Sequence, residues 1–281
     1  MKLAVSENWG VIMNLLEAIF LGIIQGFTEF LPISSSGHLI LFQRLFNIDA
    51  NAGQKSILFE VVLHVGTLIP ILIVYRKDIL RLLRKPFQKL TWLLVVATIP
   101  AIIATVLLGD KLDALFATTS LLGFAFVLTG CLLLYADKAE GGNKKERGIA
   151  YLDALIIGIV QAIAIIPGIS RSGSTITASL SRKLTRETAA KFSFLMSIPA
   201  IGGAVVLQIF HMIKGDVAIA DINALCLIFG FLASMLAGFL SIQFMLALIK
   251  KCKLKYFSIY LFILAAVIFL DKLLLGGQFL G

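Results

Sequence analysis

Four stretches of this chain, residues 90–109, 114–136, 192–213 and 222–249, each run for 20 or more residues without a charged side chain. A helix of about 20 apolar residues spans the hydrocarbon core of a bilayer, and in water such a segment would have to be buried on every side. Two further runs are less clean: residues 57–75 contain Glu60 and His64, and residues 256–275 contain Asp271 and Lys272 near their end. The sequence therefore predicts an all-α integral membrane protein with six transmembrane helices joined by short loops. The composition agrees, with 59% hydrophobic and 15% charged residues, against about 25% charged in ordinary globular domains. No part is long and polar enough for a separate soluble domain, so residues 1–281 read as one membrane domain.

A net charge of +9 could suggest nucleic acid, but the basic residues sit in short clusters between apolar runs. That is the pattern of cytoplasmic loops, and it argues against a nucleic-acid partner. One set of connections holds 18 of the 25 Lys and Arg residues, in the clusters 76–89, 138–147, 182–191 and 250–255. The opposite set, with both termini, holds six: Lys2, Arg44, Lys55, Lys111, Lys214 and Lys272. The first set is expected in the cytoplasm and both termini outside. Lys2 precedes an apolar stretch without a small-residue cleavage site, so the N-terminus is expected to be retained. Cys131, Cys226 and Cys252 have neither metal-ligand nor disulfide spacing and read as packing or lipid-facing residues.

Two apolar regions remain, 8–43 and 151–181, each interrupted by Pro, Gly and Ser, which break helices. A shift of 136 residues lays one on the other without a gap, with nine identities over residues 16–38, among them Gly22, Gln25, Ser34, Ser36 and Gly37 against Gly158, Gln161, Ser170, Ser172 and Gly173. Glu17 and Asp153 also match, which favours a shared structural role. By the charge count the first region starts and ends outside and the second starts and ends in the cytoplasm. The chain thus reads as inverted-topology repeats, about 8–136 and 150–275, each carrying a helix-loop-helix pair. Were both pairs to cross fully, their polar loops would lie about 30 Å apart. Were both re-entrant, turning back at half depth, the loops would meet near the midplane, where irregular backbone lining a cavity is tolerated.

The repeats differ where reactive groups are needed: Glu29 stands opposite Ile165, Ser35 opposite Arg171 and His38 opposite Ser174. Together the loops supply an acid, several hydroxyls, an imidazole and Arg171, the one basic residue in neither set of connections. Guanidinium donors beside helix N-termini suit a phosphate. Ser35 and His38, three apart, could serve as nucleophile and base, with Glu29 orienting His38, carrying a proton or holding a cation. Ionisable groups inside a membrane are costly, which makes function the default for Glu29 and Arg171. Ser34, Ser36, Ser170 and Ser172 bind substrate or bond the helix backbone. His64 and His211 lie outside the loops and read as packing residues, and Glu60 as a supporting acid or an interfacial charge. Spacing does not separate Ser35 from His38, Ser34 or Ser36 as attacker.

The stretch from Gln25 to Glu29 with Pro32-Ile33-Ser34-Ser35-Ser36-Gly37-His38 resembles the first signature of the bacterial undecaprenyl-diphosphate phosphatases, the UppP/BacA bacitracin-resistance family. Pro167-Gly168-Ile169-Ser170-Arg171-Ser172-Gly173-Ser174-Thr175 resembles the second. The resemblance implies a multi-pass protein of the bacterial plasma membrane that hydrolyses undecaprenyl diphosphate to the monophosphate lipid in a cavity opening to the outer face. It implies a divalent cation, Mg2+ or Ca2+, with Glu29 as metal-side acid. Catalysis then falls to Glu29, Ser35, His38 and Arg171, and substrate binding to Gln25, Ser34, Ser36, Ser170, Ser172, Gly173 and Thr175. The family has Glu or Gln at the position of Gln25, which leaves Glu29 as the main acid here. The lipid substrate and bilayer lipids are the expected partners, and a homodimer stays open. Two rivals remain: a lipid carrier or flippase using Arg171 to hold a headgroup, and a type 2 phosphatidic-acid phosphatase. The second lacks the further His with an Asp that its pattern needs downstream of Arg171.

Overall fold

The computed structural model describes residues 13–46, 55–116, 119–139, 142–214, 223–251 and 254–277, with side chains described for all but 55–56, 109–116 and 119–120. Lys2, Cys252 and residues 8–12 of the first repeat lie outside them, as do the chain ends. Apart from a 3₁₀ turn at Glu146–Gly148, the described elements are α-helices: α1 (Leu15–Phe30), α2 (Ser35–Leu45), α3 (Lys55–Val74), α4 (Arg76–Arg84), α5 (Lys89–Phe116), α6 (Thr119–Lys138), α7 (Tyr151–Ile163), α8 (Arg171–Ser181), α9 (Arg186–Lys214), α10 (Ala224–Lys250) and α11 (Lys255–Leu275). Six of them, α3, α5, α6, α9, α10 and α11, are long and apolar enough to cross a membrane, at the six places the hydropathy indicates. Val106, Leu107, Ile213 and Leu273 point outward almost fully exposed, which suits a protein whose solvent is lipid.

One expectation needs correction. Residues 76–89 read as a loop, yet most of them form α4, because Ile79 and Leu82 pack against the main core while the charges turn away from it.

The interrupted regions are two pairs of short helices, α1 with α2 and α7 with α8. Asn14 and Glu17 form a reciprocal capping box on α1, and Asp153 Oδ2 accepts the Ala150 N–H at 3.0 Å on α7. This is the shared structural role of Glu17 and Asp153. Ser34 and Ser170 cap α2 and α8 with the same bond, each hydroxyl accepting the amide of the third residue of its helix, Gly37 at 3.3 Å and Gly173 at 3.1 Å.

Packing crosses between the halves. Helix α1 lies along α10, α7 lies along α5, and α6 packs on α11. A Cβ on Gly22 would sit 2.5 Å from the Gly230 carbonyl oxygen, one on Gly26 2.5 Å from that of Ser234, and one on Gly158 2.5 Å from that of Ala97. Both short first helices therefore approach a span of the opposite half as closely as backbone allows.

The basic connections gather on one face. Lys191 Nζ reaches Asp78 at 2.6 Å and Glu146 at 2.9 Å, Arg81 joins both acids, and Lys89 donates to the Arg147 carbonyl at 3.0 Å. Lys144 and Arg182 meet on Asp153 at 2.9 and 2.8 Å, and Lys250 pairs with Glu187 at 3.1 Å. Burial alone would raise the Glu146 carboxyl; hydrogen bonds from Lys191 and Arg81 outweigh it and hold the group below the usual carboxylate range.

Candidate active site

The break between α1 and α2 follows from Pro32, which cannot donate the amide that a continued helix needs. Leu31 adopts extended backbone, and Ser34 sits at φ 75°, a left-handed conformation that costs a non-glycine residue about 1–3 kcal/mol. The second break runs through Pro167 and Gly168, whose φ of 86° only glycine adopts freely.

The two breaks meet. Arg171, the first residue of α8, forms an ion pair with Glu29 near the end of α1. Ser172 Oγ donates to the Leu31 carbonyl at 3.1 Å, and Gly173 is so close to Pro32 that an added Cβ would stand 3.2 Å from the proline Cβ. A residue 142 positions away in sequence thus completes the surroundings of Glu29.

Glu29 is the hub. Its Oε1 accepts from Arg171, and its Oε2 accepts from Ser35 Oγ at 2.7 Å and from Gln25 Nε2 at 3.0 Å. Gln25 is fully buried, and its Oε1 finds no hydrogen-bond partner among the described residues. Ser35, Ser36 and Arg171 remain partly accessible, whereas Gln25, Glu29, Ser34, His38, Ser170, Ser172 and Thr175 are buried. The N-termini of α2 and α8 converge here, adding partial positive charge beside the guanidinium.

His38 belongs to a neighbouring arrangement. Its Nδ1 lies 2.7 Å from the Ser34 carbonyl oxygen and its Nε2 2.7 Å from the Tyr260 hydroxyl. A carbonyl only accepts, so the network assigns the proton to Nδ1 and leaves Nε2 to accept from Tyr260. The rings also stack, with centroids 5.6 Å apart and planes 16° from parallel. Ser35, expected to face His38, gives its hydrogen to Glu29 instead.

The remaining candidates support the loops. Ser34 and Ser170 are caps, each also within 3.4 Å of the serine two residues on. Thr175 Oγ1 donates to the Arg171 carbonyl at 2.8 Å and lies 2.6 Å from Ser193 Oγ, holding the start of α8. His64 Nδ1 is bonded to its own helix at the Glu60 carbonyl, and His211 lies toward the far end of α9. Cys131 and Cys226 are free thiols, the second buried against the Met13 carbonyl.

Three residues of this neighbourhood escaped the sequence reading. Tyr260 on α11 bonds His38, Ser193 on α9 bonds Thr175, and Thr129 on α6 accepts the Ser170 amide at 3.2 Å. All three lie within apolar spans outside both motifs, and only contact across the fold singles them out.

The sequence profile described as "Bacitracin resistance protein BacA" matches residues 18–267. The chain belongs to the BacA family. Its relatives include proteins named undecaprenyl-diphosphatase from Carboxydothermus hydrogenoformans, 43% identical over 91% of this chain and 97% of the relative, and from Methanobrevibacter smithii, 37% identical over 93% and 99%. A Bacillus cereus protein named undecaprenyl-diphosphatase 4 is 45% identical over 91% and 96%. The BacA match takes in the first interrupted region from Ala18 on, the whole of the second, and all six spans except the end of α11. A BacA protein with six such helices is a multi-pass membrane protein.

Proposed function

We propose that the chain is an undecaprenyl-diphosphate phosphatase, hydrolysing the lipid diphosphate to undecaprenyl phosphate and inorganic phosphate, which recycles the lipid carrier for cell-wall synthesis and confers bacitracin resistance. The observation that carries the reading is Glu29 binding Ser35 and Arg171 at once, across two loops of a chain whose relatives bear that enzyme's name. A carrier or flippase would need Arg171 for an anionic headgroup, but it would not need a serine hydroxyl already bonded to a carboxylate.

In this mechanism Ser35 Oγ attacks the terminal phosphorus while its proton passes to Glu29. The bridging P–O bond breaks, and the monophosphate lipid leaves with the bonding electrons as a tolerable anion. Arg171 uses donors not engaged by Glu29, together with the amides at the starts of α2 and α8, to neutralise the phosphoryl oxygens. Water then attacks the phosphoserine, Ser35 recovers the proton from Glu29, and one water proton is released with the phosphate. Glu29 thus takes the proton-accepting part first considered for His38, because the serine is bonded to the carboxylate. His38, tied to Ser34 and Tyr260, fixes the start of α2.

The divalent cation implied by the family resemblance fits these residues. Glu29 and the unpartnered Gln25 Oε1 are hard oxygen donors; no group of three or more His, Cys, Asp and Glu gathers here or elsewhere among the described residues, so a cation would rely on these two oxygens with water and substrate. Mg2+ in particular is held by one or two protein oxygens together with substrate phosphates and water. Bound there, a cation would offset diphosphate charge.

The same reading makes the two short-helix pairs re-entrant and the halves inverted repeats, with both termini outside and the cavity open to the outer face of the plasma membrane. Three observations support it: the matching caps, the reciprocal packing of α1 on α10 and α7 on α5, and the basic connections gathered on one face. The test is phosphate release from undecaprenyl diphosphate by purified protein in detergent, followed by trapping of the enzyme-bound phosphate. No release from wild type would overturn the function. An acid-labile, base-stable phosphoenzyme would transfer the nucleophile's part to His38.

A further inference from the structure

Helix α4 has a side that neither the core nor the active site uses. Its inner side is accounted for, with Ile79 and Leu82 on the core and Asp78 and Arg81 in the network with Glu146 and Lys191. On the outer side, Lys77, Leu80, Arg84 and Lys85, with Arg81 at the edge shared with that network, line a shallow recess of 380 Å³. Leu83 on the same helix and Phe87 just past its end are 72% and 83% exposed. The two acids nearby are both engaged with Arg81 and Lys191, and among the described residues no carboxylate pairs with Lys77, Arg84 or Lys85.

The position narrows the occupant. A single residue, Tyr75, separates α4 from the end of the α3 span, and the α5 span begins at Lys89, so α4 lies at the membrane boundary on the face of the basic connections. A free anion would be served by the cations alone and would leave Leu83 and Phe87 unexplained. A lipid explains both: acyl chains cover the apolar side chains while Lys and Arg stems run over them to a negative head. We propose that the outer side of α4 binds the headgroup of an anionic phospholipid, at a site separate from the one that binds the diphosphate substrate.

The test compares two variants with equal loss of charge in nanodiscs of mixed phosphatidylglycerol and phosphatidylcholine, with retained lipid measured by native mass spectrometry. In K77Q/R84Q/K85Q the preference for phosphatidylglycerol should fall on the order of a hundredfold, at roughly fivefold per basic group near a membrane surface. In K138Q/K145Q/K251Q, which neutralises exposed lysines of the other basic connections, it should stay near wild type. L83S/F87S should lose retention with its charge intact. Unchanged phosphate release in detergent certifies that each variant is folded. Equal losses in both triple variants would reduce the effect to general surface charge and overturn the site. So would retention unaffected by L83S/F87S, or displacement of the lipid by millimolar inorganic phosphate.

Discussion

Replacing Glu29 by Gln keeps the volume of the side chain and removes only its charge and its capacity as a base. The carboxylate holds Ser35 at 2.7 Å and Gln25 at 3.0 Å while it pairs with Arg171. Loss of a positioned base costs about 10²–10⁴ in rate, or about 3–5 kcal/mol of transition-state stabilisation. The second effect is on stability, because Arg171 is left without its counterion. Breaking a fully buried pair costs about 3–5 kcal/mol, but the Arg171 side chain is 17% exposed, and partial solvation reduces this to about 1–3 kcal/mol. E29Q should therefore both lower the melting temperature in detergent and nearly abolish phosphate release from undecaprenyl diphosphate. The double variant E29Q/R171Q separates the two effects: removing both charges should restore most of the melting temperature and none of the activity. Turnover of E29Q within fivefold of wild type would refute the assignment of Glu29 as the group that takes the Ser35 proton.

Arg171→Lys should lower kcat/KM by about 10²–10³, since an ammonium cannot reproduce the planar fork of donors; steady-state kinetics would show it. Tyr260→Phe, losing one hydrogen bond to His38, should lower kcat about tenfold with little change in KM. Gly26→Val should destabilise by about 1–3 kcal/mol, because its Cβ would meet backbone of Ser234 and Gly238 at 2.5 and 2.7 Å, whereas Gly202→Ala, with nothing within 4 Å, should be neutral or stabilising in thermal melts. Glu146 is held below its ordinary value of 4.5, so its stabilising contribution is complete at neutral pH, begins to fade as pH falls past that value and vanishes below the lowered one. The gap in melting temperature between wild type and E146Q should accordingly narrow as the pH is taken below 4.5.

The spans were legible because lipid imposes one requirement, an uninterrupted apolar run, and α3, α5, α6, α9, α10 and α11 each meet it. The breaks were legible for the opposite reason, since Pro32 and Pro167 with their serines stop a helix wherever they stand. Arg171 and Glu29 stood out as charges that a membrane interior tolerates only for a reason, and they do pair. Helix α4 was hidden by its charges, which mark a connection without showing that Ile79 and Leu82 fold it back on the core. Tyr260 was hidden by ordinariness, one tyrosine in an apolar run, 222 residues from the imidazole it binds. The partner of Ser35 could not be chosen by spacing either, because His38 on the same helix and Glu29 across the break were both within plausible reach.

The crossed packing of the halves also sets a timetable for synthesis. Glu29 is made 142 residues before Arg171, and at about 5–20 residues per second the carboxylate waits roughly 7–30 s for its counterion. Helix α1 waits longer still, because the groove that receives Gly22 and Gly26 belongs to α10, near the end of the chain. During that interval a short, polar-ended helix lacks the length to span the bilayer and has only α2 and α3 to pack against. The active site is therefore among the last parts of the molecule to be completed, and a truncated chain ending before α10 would hold both motifs without the surface that seats α1.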